Sequence, residues 1–158
     1  MATYDVTGPS TAGARPSRFS AGIRTPYLVE NVIDVSAINS DAGAAQNDVL
    51  QVLDIPAETL VLHAGIEVLT ALSSSVTLDL GITGGDVDTF VDGDANATGY
   101  SVLTNTARPV IASADTLDLL VLSAASSAGK IRVFAILCDV SGINETDNNT
   151  DTQHDTAV

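Results

Sequence analysis

The densest group of chemically capable side chains is Asp86-Val87-Asp88-Thr89-Phe90-Val91-Asp92-Gly93-Asp94-Ala95-Asn96. Hard cations such as calcium take about six to eight oxygen ligands, and Asp92, Asp94 and Asn96 repeat the Asp-x-Asp-x-Asn opening of an EF-hand loop. The rest of that loop does not follow. Ala97 stands where the sharp turn needs glycine, and Leu103 where a bidentate Glu closes the shell. Asp, Asn and Gly also crowd together simply because they make turns. Paired carboxylates for glycoside hydrolysis could be assembled from Asp86 with Asp88, or from Asp79 with Glu67 on adjacent strands. Three Phe, three Tyr and no Trp leave little aromatic platform for a sugar ring.

Nucleophilic chemistry has less support. His154 falls in a polar tail and His63 within a β-rich run, so neither is set to activate a serine, and no Gly-x-Ser-x-Gly elbow is present. His63 is expected to face outward or to be a satisfied core residue. Cys138 ends the apolar run Ile131-Arg132-Val133-Phe134-Ala135-Ile136-Leu137 and is expected in the core, where a thiol behaves as a small hydrophobe. It cannot make an internal disulfide, and no Cys/His spacing fits zinc. Gly129-Lys130 lacks the preceding glycine and following Ser or Thr of a phosphate-binding loop. Lys130 and Arg132 then become strand-start charges, solvated or paired with acids across a sheet. No catalytic residue, metal ligand or cofactor is assigned, and the chain is read as non-enzymatic.

The elements that position these residues are strands. Val76, Leu78, Leu80 and Ile82 alternate with Thr77, Asp79 and Gly81, which sends one face to a core and the other to water. Further β-rich runs cover 27–35, 49–55, 60–72, 116–123 and 130–140, each bounded by turn chemistry. Residues 83–109 read as a long loop carrying one or two short strands. In the run 116–123, Leu117, Leu119 and Val121 line one side and Leu120 and Leu122 the other, so it and 130–140 belong in a sheet centre or against a neighbouring subunit. The short connection 124–129 predicts a hairpin between them, with Gly129 able to supply a positive φ. Residues 41–47 could form a turn or two of helix behind Asp41, although Gly43 weakens it and no apolar stripe supports it. Crossover helices for parallel βαβ units are absent. The fold class is therefore all-β: an antiparallel β-sandwich or jelly-roll-like barrel with an extended N-terminal arm and a polar C-terminal tail.

Charge sorts along the chain. Of 158 residues, 6 are Lys or Arg and 20 Asp or Glu, for a net charge of −14. Residues 1–26 hold Arg15, Arg18 and Arg24 against Asp5 alone; residues 27–138 hold 3 bases against 14 acids; residues 139–158 hold 5 acids and no base. Turn formers without an apolar period make 1–26 an arm, 27–141 is the folded body, and 142–158 is a flexible acidic tail. Such acidity lacks the footprint of a nucleic-acid binder and disfavours anionic lipid, so neither nucleic acid nor a membrane is an expected partner. No apolar run is long enough for a transmembrane helix, and the first residues do not read as a signal peptide, so a soluble compartment is expected. Strands apolar on both faces want a homotypic interface, and the arm's three arginines are the candidate partner-binding residues.

The runs Asp48–Thr70, Leu78–Asp86, Ala114–Asp118 and Ala128–Phe134 together resemble small virion structural proteins of tailed bacteriophages, cyanophages in particular. The likeness spans the body, about residues 27–141, and not the arm or tail. It implies a capsid decoration, or cement, protein: a β-sandwich or barrel, assembled in the host cytoplasm, that trimerises on the capsid exterior and staples neighbouring major capsid subunits through its arm. Other virion roles (head fibre, neck or tail) and a carbohydrate-binding β-sandwich module stay open alternatives.

Overall fold

The computed structural model describes residues 2–5, 25–83, 87–95, 98–102 and 109–140. Ten strands run in chain order: β1 (Thr3–Asp5), β2 (Tyr27–Asp34), β3 (Val49–Ile55), β4 (Thr59–Thr70), β5 (Thr77–Ile82), β6 (Val91–Ala95), β7 (Gly99–Val102), β8 (Val110–Ile111), β9 (Asp115–Leu122) and β10 (Lys130–Asp139). They form two sheets, β1-β3-β9-β5-β6 and β2-β10-β4-β7, with β8 paired to the far end of β4. The long β-rich runs of the sequence all become strands, and 83–109 carries two short ones.

The pairing is nested. Antiparallel partners are β2 with β10, β3 with β9, β4 with β7 and β5 with β6, as though one long hairpin had been folded along its length. Rolling that hairpin up adds two further antiparallel contacts, β10 to β4 and β9 to β5, and so separates the strands into two sheets. With β1 set aside, β7 and β8 taken as one, and the eight strands counted from β2, the sheets β2-β10-β4-β7 and β3-β9-β5-β6 read first-eighth-third-sixth and second-seventh-fourth-fifth, which is the jelly roll among the architectures expected. The hairpin predicted between 116–123 and 130–140 is not made. β9 lies in the centre of one sheet and β10 in the centre of the other, and the connection 123–129 crosses the sandwich. Sequential proximity favoured a hairpin, but both strands are apolar enough to need two neighbours each, and the nested pairing supplies them.

That crossing end is built by close backbone approach. Ala44 and Ser126 exchange backbone hydrogen bonds, 2.9 Å and 2.8 Å, and Gly43 is packed against Ser126 and Ser127 with φ +83°. Residues 41–47 are consequently turns and an isolated bridge rather than helix. Ser126 Oγ donates to the carbonyl of Ala128 (2.8 Å) and accepts from the Ser73 backbone N–H (3.1 Å), so three connections are tied at one end. Gly129 does carry a positive φ, +125°, beside Leu72.

Between the sheets lies an aliphatic core, as the shortage of aromatics required: Leu50, Leu53, Ile55, Ile66, Leu78, Leu80, Leu117, Leu119, Ile131 and Leu137 are fully enclosed, with Phe90 the only aromatic beside them among the described residues. Residues 3–5, inside the segment read as an arm, add β1 to the β3 edge in parallel, the one parallel pair of the described strands. The carboxylate of buried Asp48 holds it, accepting from the backbone N–H groups of Ala2 and Ala45, each at 2.8 Å. No described helix is long and apolar enough to cross a membrane.

Candidate interface on the outer sheet faces

Strand parity assigns each sheet an outer face. In β10, Ile131, Val133, Ala135 and Leu137 point into the core, so Arg132, Phe134, Ile136 and Cys138 point outward. Antiparallel register then builds rows across the β2-β10-β4 face. Leu28, Ile136 and His63 form one row; Glu30, Phe134 and Gly65 the next; Val32, Arg132 and Glu67 a third; Asp34, Lys130 and Thr70 the last. Beyond the first row lie Cys138, Leu60 and Val110. Phe134 stands opposite Gly65, is 7% exposed, and tilts its ring against that of His63 at a centroid distance of 6.0 Å.

Cys138 is thus not a core residue. A register shift between Ile136 and Leu137 keeps Leu137 inside opposite Val61 and leaves Cys138 half-buried on the outer face, its thiol 3.9 Å from the carbonyl of Asp139. His63 faces outward, one of the two placements expected for it.

The face is polarised. At one end Arg132 bridges two strands, donating to Glu67 of β4 and standing 3.6 Å from Glu30 of β2, while Lys130 pairs with Asp34 at 3.2 Å. The Ser36 hydroxyl, donating to Asp34 at 2.6 Å, and then Lys130 hold the Asp34 carboxyl below the ordinary carboxylate range. Lys130 and Arg132 are the cations of the described residues, and both are paired across the sheet. Toward the other end the face is apolar: Leu28 is 62% exposed and Val110 57%, with Val32 at 52% among the ion pairs and Leu69 exposed at a register shift. Of the large exposed hydrophobics among the described residues, only Val87 lies elsewhere.

The opposite face, on β3-β9-β5, differs in kind. Its outward residues include Asp54, Thr116, Asp118, Leu120, Leu122, Thr77 and Asp79, with no cation among the described residues. Asp79, expected in water, is 5% exposed, because β5 is flanked by both β9 and β6 and its carboxylate accepts from the Gly93 backbone N–H at 2.7 Å. Asp118 is 7% exposed and accepts from the Thr83 and Thr116 hydroxyls, each at 2.7 Å. Burial pushes both carboxyls above the ordinary value. The hydrogen bonds oppose that shift, and Asp92 beside Asp79 and Asp115 beside Asp118 add to it.

Other sequence candidates are dispersed by the fold. Asp79 and Glu67 stand on opposite outer faces and cannot form a carboxylate pair. Asp92 and Asp94 lie on extended strand β6 rather than in a cation-wrapping loop, and Asp86 and Asn96 lie outside the described residues. Among the described residues no group of three or more His, Cys, Asp or Glu could hold a metal. Arg15, Arg18, Arg24, His154 and the tail also lie outside them.

No protein-family model and no curated protein matches the sequence. The fold is nevertheless shared with chains of bacteriophage capsids. A chain in the capsid of Ralstonia phage GP4 superposes with TM-score 0.60 at 16% identity, over 85% of this chain and 97% of that one. A chain in the cyanophage Pam1 capsid asymmetric unit gives TM-score 0.60 at 16% identity, over 84% and 99%. A third, from the acid-stable capsid structure of the Helicobacter pylori bacteriophage KHP30, gives 0.56 at 13%, over 75% and 95%.

Proposed function

We propose that this protein is a non-enzymatic structural component of a tailed-phage virion, a decoration or cement protein that trimerises and bridges major capsid subunits on the outside of the head. The observation that carries this reading is coverage: two phage capsid chains align over 97% and 99% of their own length, so the likeness is to whole capsid components and not to one shared domain. The charge layout agrees with it. The arginine-bearing arm supplies a cationic tether, and the acidic β3-β9-β5 face suits a solvent-facing surface that repels other particles. A head packed with DNA strains its shell, and a clamp across subunit seams raises the cost of separating them in proportion to its binding free energy.

Purified protein should bind empty heads at a copy number in simple ratio to the shell subunit, counted by cryo-electron microscopy. Reversing Arg15, Arg18 and Arg24 to Glu should weaken attachment, most clearly at low salt. Occupancy that neither this variant nor a salt titration changes would remove the arm from the attachment. Confinement of the protein to the neck, tail or fibres would remove the decoration role.

A further inference from the structure

We propose that the outer face of β2-β10-β4 is where a second copy of this chain packs, with Leu28, Ile136, Leu60 and Val110 as the buried anchors and the Arg132 and Lys130 ion pairs as the rim. The argument begins with apolar surface. Leu28, Val32 and Val110 are each more than half exposed on one face, beside half-buried Ile136 and Leu60, which is the arrangement of an apolar centre beside a polar border.

Charge then selects the occupant. Two copies at −14 each repel wherever acids face each other, as Asp54, Asp79 and Asp118 would across the β3-β9-β5 face. On β2-β10-β4 the carboxylates Glu30, Asp34 and Glu67 are matched against Lys130 and Arg132, so the local charge is nearly balanced. That is where another acidic copy meets the least electrostatic cost. Both described cations are already engaged, which leaves the face little pull on an acidic partner of another kind. The inference rests on the self-association in the proposed function and assigns the face that makes it, and it stands or falls without the shell.

Sedimentation of the isolated protein across a concentration series tests it. Wild type should associate. Leu28→Glu and Val110→Glu should each weaken association by roughly tenfold or more, the effect of charging a buried anchor. Val87→Glu, which charges the exposed apolar residue away from this face, should leave association unchanged. Circular dichroism and a thermal melt establish folding, and Val32→Gln is a milder variant should the Glu substitutions unfold. A wild type monomeric at its solubility limit, or folded Leu28→Glu and Val110→Glu variants that associate like wild type, overturns the proposal. If wild type is monomeric yet Leu28→Glu no longer binds heads, the face belongs to the shell: the second copy is wrong and the virion role stands. An oligomer that forms through this face but never binds heads leaves this inference in place and overturns the decoration role.

Discussion

Two buried acids on the outer side of the β3-β9-β5 sheet contribute to the protein's response to pH. Asp79 and Asp118 are desolvated, and their hydrogen bonds do not fully offset that burial, so each carboxyl is raised above its ordinary 3.8. A raised value means that the folded chain prefers the protonated acid. The stabilisation is complete below 3.8 and is lost as pH climbs through the raised values. The thermal midpoint should therefore fall as pH rises from about 4 toward neutrality, and Asp79→Asn with Asp118→Asn should flatten that slope. An unchanged slope in the double variant would place the titration in other groups. Asp34 works in the opposite sense: its lowered carboxyl supports the fold above 3.8 and releases it as pH falls through the lowered value. Neither buried acid is visible in the strand pattern, where alternation put Asp79 in water. The covering strand β6 and the Gly93 N–H that accommodate it come from residues whose period was too weak to place.

At the scale of the element, the jelly roll depends on its crossing end. A methyl at Gly43 would press on the Ser126 carbonyl and come within 2.6 Å of Ser127 Cα, both backbone atoms, at a φ of +83° that L residues disfavour. Gly43→Ala should cost at least about 2 kcal/mol in denaturant titration, since neither strain nor overlap can be relieved by a side-chain turn. The β1 edge depends on Asp48. Asp48→Ala leaves the backbone N–H groups of Ala2 and Ala45 without their acceptor and should cost about 1–3 kcal/mol. It should also speed hydrogen exchange at Val49, whose amide donates to the Ala2 carbonyl at 2.9 Å. Exchange at Val49 as slow as in wild type would show β1 to be held by its strand pairing alone. Element existence was legible from period and turn residues. Partner choice was not: a nested pairing matches β2 to β10 across about a hundred residues, and local pattern carries no record of that distance.

At the scale of the whole molecule, acids unmatched by cations and exposed apolar side chains are sorted onto different faces, and salt should separate their roles. Screening lengths near 10 Å at 0.1 M weaken contacts between exposed charges and spare apolar burial. Raising salt should strengthen self-association of a chain at −14 by reducing repulsion, while weakening whatever attachment the arginines of the arm make. Sedimentation and head occupancy in the same salt series read the two effects. A shared direction would mean that one surface performs both tasks.

Composition and period by themselves determined that the chain is all-β, that its core is aliphatic, where the long strands run, and that Lys130 and Arg132 begin a strand. These follow from local physics, because side-chain alternation and turn propensity act over a few residues. Only the tertiary structure decided which strands share a sheet, that Cys138 faces outward, that His63 faces outward against Phe134, that Asp79 and Glu67 lie on opposite sides, and that one outer face gathers paired charge and exposed apolar side chains. A face is made of residues from several strands, and its members become neighbours only when the hairpin rolls up and register sets Leu28 beside Ile136 and Val110 beside Leu60.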